Sequence, residues 1–271
     1  MEAQPFIEGV PWFTSSIFFT IIVTIVILTL ARRATSKMQL LPGGGQNLFE
    51  ALVSGLYDMF EGIVGKHMIP KVFSLLATLF IFIMSANWFG LLPGVGTIGF
   101  GEITGPFHSL AHVEHPLLRP SGADLNMTLA MSALFMVLWL YWTLREIGAG
   151  GFLFHIFAPK GGLKGALAIC LLPIFFFVGV IEIVSIIFRP VSLSLRLYGN
   201  IFAGESLLHA MGSLGDKLPG WISYVMSVLL PLPFYFLELL VGVLQALVFA
   251  LLCSVYIQLS TSHDEEEGHG H

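Results

Sequence analysis

Charged residues are scarce in this chain. Only 11% of its 271 residues are Asp, Glu, Lys or Arg, whereas 56% are hydrophobic, and soluble domains carry about 25% charged residues. This composition argues against a water-soluble globular protein. Several apolar runs exceed the ~18 residues that indicate a bilayer span. The sequence therefore predicts a polytopic helical membrane protein.

Cysteine is nearly absent, and familiar catalytic motifs are missing. Cys170 and Cys253 lie inside apolar runs, so we interpret both as small buried hydrophobic residues rather than as a disulfide or zinc pattern. The sequence has no G-x-S-x-G, H-E-x-x-H or G-x-x-x-x-G-K-[ST] motif, which argues against a hydrolase, a zinc protease or a nucleotide site. We expect no enzyme activity from the chain alone, no cofactor, no metal and no nucleic-acid partner.

Charges around the first apolar run indicate the orientation of the chain. Glu2 and Glu8 precede the run, and Arg32, Arg33 and Lys37 follow it, which is the reverse of the order in a cleavable signal peptide. We therefore expect this span in the mature protein. Because basic loops remain in the cytoplasm, we predict an outer N-terminus and a cytoplasmic C-terminus, in a bacterial plasma (inner) membrane.

The predicted fold is an all-α membrane protein with about five transmembrane helices, an amphipathic interfacial helix and a final hairpin. Both helices of the hairpin are expected to be long and steeply tilted, because the first, taken as one helix, would measure roughly 70 Å against a ~30 Å hydrocarbon core. The predicted order is an outer N-terminus (1–14), a first span (15–37), an amphipathic cytoplasmic-surface helix (46–68), a second span (71–93), an outer loop (94–123), a third span (124–145), a cytoplasmic loop (146–162), a long tilted helix (163–212), an outer turn (213–220), a long last helix (221–260) and a disordered cytoplasmic tail (261–271).

Polar residues form a stripe along the first helix of this hairpin. Steps of three or four residues place them on one helical face: Glu182, Ser185, Arg189, Ser192, Arg196 and Asn200. Glu205 and His209 lie four residues apart toward another face, and Glu238 and Gln245 lie two turns apart on the last helix. Arg189 fits two interpretations equally well, a member of this stripe and a side chain that extends to the membrane interface. Arg196 does not, and a charge at bilayer depth costs at least ~2.5–3.5 kcal/mol. The stripe therefore predicts an ion path.

These residues also carry a family resemblance. The segment "RPVSLSLRLYGNIFAGE" resembles the signature of subunit a of the F-type ATP synthases, and "NWFGLLPG", "PSGADLNMTLAM" and "LVGVLQALVFALL" agree with it in order and spacing. The resemblance implies that Arg196 faces a rotor ring of c subunits and separates two half-channels. It implies an outer path of Asn200, Glu205, His209, Glu238 and Gln245, and an inner path of Glu182, Ser185 and Ser192. It further implies a peripheral stalk of b subunits, the rest of the ATP synthase and the lipid bilayer as partners.

The sequence departs from the family pattern in one place. Some members pair a histidine with a carboxylate at the positions of Glu205 and Glu238, whereas both are glutamates here. The residue that passes the ion onward at the end of the outer path therefore remains one of three: Glu205, Glu238 or His209. The sequence also leaves open whether the ion is H⁺ or Na⁺, because that choice depends largely on the rotor carboxylate.

Two alternative interpretations remain. An ion-coupled secondary transporter also buries ionisable groups in the membrane, but it usually shows paired repeats and broken helices around a pocket, and the sequence shows neither. In the outer loop, His108, His112 and His115 share one helical face. The second alternative is a metal site formed by these three histidines, but a polar vestibule at the channel mouth fits them better.

Overall fold

The computed structural model describes residues 14–36, 38–39, 43–92, 95, 99–100, 115–116, 118–157, 166–216 and 221–261. The predictions for the outer N-terminus before Thr14, for most of the outer loop, for the basic loop that contains Lys160 and Lys164, and for the tail after Thr261 lie outside these residues.

Helices make up most of the described chain. They are α1 (Ser15–Thr35), α2 (Gly44–Val64), α3 (Ile69–Gly90), α4 (Leu125–Phe157), α5 (Ala166–Asp216), α6 (Trp221–Leu229) and α7 (Leu232–Thr261), with an antiparallel pair β1 (Gly99–Phe100) and β2 (His115–Pro116) and a 3₁₀ turn (Ser121–Ala123). Five segments are long and apolar enough to cross a bilayer: Ser15–Thr35, Ile69–Gly90, Leu125–Phe154, Pro173–Gly215 and Val225–Ser260. The predicted all-α membrane fold with five spans is confirmed.

The helix α2 is amphipathic and is not one of the five spans. Its buried residues Leu56 and Phe60 face the other helices, whereas Asp58 is exposed. The helix ends at Gly65, whose positive φ of 86° suits glycine and whose N–H donates to the Glu61 carbonyl at 3.0 Å. A proline in the first turn of α3 then begins the second span, where its missing N–H removes no helical hydrogen bond.

A single large core joins five of the helices. It contains a side chain from each of α2, α3, α4, α5 and α7, none more than 1% exposed: Phe60, Leu76, Phe135, Leu197 and Phe249. The helix α5 contributes little more than Leu193 and Leu197, and only 6% of its most apolar 18-residue window is buried. Most of the α5 surface is therefore left for lipid or for another protein.

The helix α4 continues beyond the predicted end of the third span. The sequence predicts that the third span ends at Arg145 and that a cytoplasmic loop follows from residue 146, but the structure has helical residues up to Phe157. At Gly148 the backbone leaves the helical region (φ 78°, ψ 159°), so α4 consists of two helical segments that meet at a kink. Glycine adopts this conformation without steric cost. The turn that follows packs on α5, where a Cβ on Gly179 would lie 2.5 Å from the Phe157 ring.

The predicted last helix, 221–260, is two helices in the structure. Leu230 and Pro231 separate α6 from α7. Proline has no N–H to donate and its ring crowds the carbonyl four residues earlier, which explains the break at this position. The chain resumes at once, since the Tyr235 N–H donates to the Pro231 carbonyl at 2.9 Å. The apolar segment therefore remains a single span, Val225–Ser260.

Candidate functional site

The polar stripe of α5 is divided between two environments. Three members are exposed on the surface of α5: Ser185, Ser192 and Arg196. Glu182 and Arg189 are partly buried and line a pocket between α4, α5 and α7. The sequence predicts the shared face, and the structure adds that neighbouring helices cover only part of it.

Arg196 has apolar residues on both sides of it in the chain. Leu197 is 1% exposed and anchors α5 to the core, while Leu195 is 50% exposed. Within the part of the chain that the structure describes, Arg196 makes no hydrogen bond or salt bridge. Because a guanidinium cannot lose its proton in a protein, this face presents a permanent positive charge that the described chain does not neutralise.

Arg189 is directed into the bundle, not outward along the helix surface. Its Cζ lies 4.6 Å from the centre of the Tyr256 ring on α7 and 5.7 Å from the centre of the Trp139 ring on α4. A cation over an aromatic face is stabilised by the ring quadrupole. The two arginines of the stripe therefore have different surroundings.

The carboxyl group of Glu238 lies directly against α5. A Cβ placed on Gly204 would overlap the Oε1 and Oε2 atoms of Glu238, so only a glycine leaves room for this carboxyl group. Gly204 immediately precedes Glu205 in the chain, and both Glu205 and His209 are exposed. The structure thus brings Glu238 to the segment of α5 that carries Glu205 and His209, the other two candidate final donors of the predicted outer path.

Two residues of α3 to which the sequence analysis gave no role hold α7 in place. The Asn87 Nδ2 group donates to the Gly242 carbonyl at 3.1 Å, and the Trp88 Nε1 group donates to the Leu239 carbonyl at 3.1 Å. Both carbonyls lie between Glu238 and Gln245 along α7. Asn87 and Trp88 therefore fix the rotation of the α7 segment that carries both site residues. The segment "NWFGLLPG" contains this signal, because a polar pair ends an otherwise apolar helix.

Asn200 and Gln245 are the remaining residues of the predicted outer path, and both are at least partly buried. Gly122 of the 3₁₀ turn is buried, and a Cβ there would overlap Ile201 Cδ1, next to Asn200. Gln245 is 8% exposed, and its Nε2 atom has no hydrogen-bond partner in the described part of the chain. An amide N–H group that is buried without a protein partner is unfavourable, so the Gln245 Nε2 group is available to donate to water.

A metal site receives no support from the described residues, since none of them form a group of three or more His, Cys, Asp or Glu that could hold a metal ion. His108 and His112 lie outside the described residues, and only the backbone of His115 is described. The vestibule hypothesis for these histidines stays a prediction.

The fold and the site together define a class of protein. The chain is a multi-pass helical membrane protein whose long helix α5 carries ionisable side chains between apolar surfaces. Comparison with known proteins agrees with this description. The sequence model of one family, described as "ATP synthase A chain", matches residues 15–258.

Individual relatives agree along nearly the whole chain. An "ATP synthase subunit a" of Protochlamydia amoebophila is 31% identical over 256 residues, which cover 93% of this chain and 82% of the relative. A protein of the same name from Mycobacterium ulcerans is 34% identical over 255 residues, 93% of this chain and 89% of the relative. One from Moorella thermoacetica is 31% identical over 244 residues, 90% of this chain and 88% of the relative. The chain belongs to the ATP synthase A chain family and is accordingly a membrane subunit of the F-type ATP synthase complex.

Proposed function

We propose that this chain is the stator ion-channel subunit of a rotary F-type ATP synthase, with two offset half-channels that load and unload the carboxylates of a c-subunit ring. It binds no nucleotide itself. The observation that carries the proposal is Arg196, an exposed guanidinium in the apolar face of α5 with no hydrogen-bond or salt-bridge partner among the described residues. A rotor carboxylate that passes this face supplies the missing opposite charge.

The charge of Arg196 explains why a rotor carboxylate releases its ion at this point. In lipid the carboxyl group is neutral, because ionisation there is unfavourable. Opposite a guanidinium at ~4 Å, the ionised form gains about 4 kcal/mol at an effective dielectric constant near 20. The carboxyl group therefore loses its ion beside Arg196 and takes up another after it has passed. Arginine carries no proton itself, so it also prevents direct leakage between the two paths.

The two paths lie at opposite ends of α5. The outer path comprises Glu238 with residues around its contact at Gly204: Asn200, Glu205, His209 and Gln245. The inner path comprises Glu182, Ser185 and Ser192, and Glu182 lies about 21 Å along the helix from Arg196. The antiparallel packing of α5 and α7 supports this division, because Glu238 meets Gly204 while Tyr256 meets Arg189.

The proposal includes partners and an orientation. The exposed face of α5 contacts the c ring, a peripheral stalk of b subunits holds the chain against rotation, and the membrane is a bacterial plasma membrane. The N-terminus lies outside and the C-terminus lies in the cytoplasm. The transported ion is H⁺ or Na⁺, and ATP-driven uptake into vesicles with and without sodium distinguishes the two.

Replacement of Arg196 tests the mechanism. Arg196→Gln keeps a polar side chain but removes the field that discharges the rotor carboxylate, so ATP synthesis in energised vesicles should be abolished while the complex assembles. Arg196→Lys should lose most of the synthesis, because an ammonium group releases its proton more readily when desolvated and has a shorter reach. Arg33→Gln removes the same charge from the exposed end of α1 and should synthesise normally. Near-normal synthesis by Arg196→Gln at matched amounts of complex would show that the arginine is structural.

Sided labelling tests the inner path and the orientation. Ser185 is exposed on α5, so Ser185→Cys should react with membrane-impermeant thiol reagents added from the cytoplasmic side. Cys170 and Cys253 are replaced by alanine in this background to remove competing thiols. Labelling from the outside alone would reverse the proposed topology.

A further inference from the structure

The pocket between α4, α5 and α7 is polar enough to hold water. Each of the three helices contributes polar or aromatic side chains: Trp139, Thr143, Glu182, Arg189, Tyr256 and Ser260. The space open to the centres of water-sized molecules is about 40 Å³, and on that measure one water needs ~10–15 Å³. The pocket therefore has room for about three waters.

Thr143 gives the pocket a hydroxyl group without a protein partner. The residue is 1% exposed, and its Oγ1 atom makes no hydrogen bond within the described part of the chain. Ser132, on the same helix and 0% exposed, instead donates to the Leu129 carbonyl at 3.0 Å. Buried hydroxyl groups in proteins are bonded to protein or to ordered water, so the Thr143 hydroxyl requires water from the pocket that it lines.

Arg189 is held in this pocket by a pair of rings that are themselves fixed to each other. The Trp139 Nε1 group donates to the backbone carbonyl of Tyr256 at 2.9 Å, which ties the α4 ring to α7. The guanidinium lies over both rings. A guanidinium carries five N–H donors, and Arg189 makes no hydrogen bond or salt bridge within the described part of the chain, so its N–H groups are available to water. The cation therefore has a defined position in the pocket that the Glu182 side chain also lines.

We propose that this pocket is a water-filled relay of the inner ion path. The Thr143 hydroxyl group binds a water molecule in the pocket. Arg189 is a positioning residue that orients this water toward Glu182. The inference rests on the proposed function, because it concerns the route by which ions reach the inner half-channel. It adds α4, through Thr143, and the paired rings to a path that otherwise consists of α5 side chains.

Silver ions, which are small enough to follow water, test access to the pocket. Thr143→Cys and the control Ser132→Cys are introduced into the complex without Cys170 and Cys253, and ATP-driven pumping is followed in inverted vesicles with Ag⁺ added. Ser132 is equally buried on the same helix but bonded to its own backbone. We expect Ag⁺ to inhibit Thr143→Cys at least about tenfold faster than Ser132→Cys, since thiol reactivity follows access.

The result for Ser185→Cys separates this inference from the proposed function. One outcome is that Ag⁺ inhibits Thr143→Cys as slowly as Ser132→Cys and yet inhibits Ser185→Cys rapidly. In that case the pocket is dry and the inference is wrong, although the inner path stands. If Ser185→Cys is also slow, the inner path itself is contradicted and the inference fails with it.

Two pairs of variants test the roles of the side chains. Thr143→Val keeps the shape and removes the hydroxyl, so pumping should fall several-fold, whereas Thr143→Ser should pump normally. Arg189→Met should lose pumping at matched amounts of assembled complex, and Arg189→Lys, which keeps a cation over the rings, should recover at least half of it. Equal pumping by Thr143→Val and Thr143→Ser, or by Arg189→Met and the wild type, would overturn the corresponding role.

Discussion

The contact between Gly204 and Glu238 leads to a prediction that separates function from folding. In Gly204→Ala, the new Cβ occupies the place of the Glu238 carboxyl group, which must retreat by about 1 Å to reach ordinary van der Waals contact at ~3.5 Å. The carboxyl group is the end of a flexible side chain, so it can rotate away. Alanine also favours a helix over glycine by about 1 kcal/mol. We therefore expect the complex to assemble normally.

Ion transport should nevertheless suffer. In precisely arranged sites a misplacement of ~1 Å can reduce the rate about 10²-fold, so we expect ATP-driven pumping by Gly204→Ala to fall at least about tenfold. The measurement is ATP-driven ion uptake into inverted vesicles, followed with a pH-sensitive dye for H⁺ or as sodium uptake for Na⁺, and normalised to the amount of assembled complex. Shortening the acidic side chain in the double variant Gly204→Ala with Glu238→Asp should restore part of the rate.

Other glycines of α5 provide controls. A Cβ on Gly212 would have no atom within 4 Å outside its own helix, so Gly212→Ala should leave pumping and assembly unchanged. A Cβ on Gly215 would meet the backbone of Ser227 in α6, which cannot rotate away, so Gly215→Ala should reduce assembly. Wild-type pumping by Gly204→Ala, alongside defective pumping by Glu238→Gln, would refute the placement of the Glu238 carboxyl group.

Three further predictions concern single contacts. Glu238→Gln and Glu205→Gln each keep the shape but remove a titratable group, so pumping should weaken while assembly survives; wild-type rates in both would remove these residues from the outer path. Trp88→Phe loses the hydrogen bond to α7 and should cost about 0.5–1.5 kcal/mol, seen as earlier thermal dissociation of the purified complex. Lys71 and Glu146 form a partly exposed salt bridge between α3 and α4; Lys71→Met should change stability by less than about 1 kcal/mol, and a larger loss in the same melting assay would show that the pair has a larger role.

The sequence predicts the spans more successfully than their ends. Long apolar runs report the spans directly, because a bilayer core requires ~20 apolar residues for each helix. Local backbone events decide where helices bend or break. Gly148 divides α4 into two helical segments that meet at a kink, and Pro231 divides the last span into two helices. Glycine and proline are ambiguous signals in a membrane helix, because either a kink or an end is compatible with them.

Helical periodicity predicts which residues of the site share a face, but it does not identify their neighbours. The stripe on α5 follows from steps of three or four residues, and the separate pair Glu238 and Gln245 follows from a step of seven. The contact of Glu238 with Gly204 depends on the register between two helices, which no local rule supplies. The support from Asn87 and Trp88 likewise depends on how α3 packs on α7.

Arg189 and Arg196 show most clearly what the surroundings add to a sequence pattern. They lie seven residues apart, so they project from α5 in nearly the same direction, and a rule based on periodicity treats them alike. Near Arg189, α4 and α7 supply the rings of Trp139 and Tyr256. Near Arg196, the described chain supplies no hydrogen-bond or salt-bridge partner, and Leu195 beside it is half exposed. Because a permanent charge among apolar side chains requires an opposite charge or water, the compensation for Arg196 has to come from outside the described residues, and under the proposed function a carboxylate on a passing rotor subunit supplies it only while that subunit is opposite.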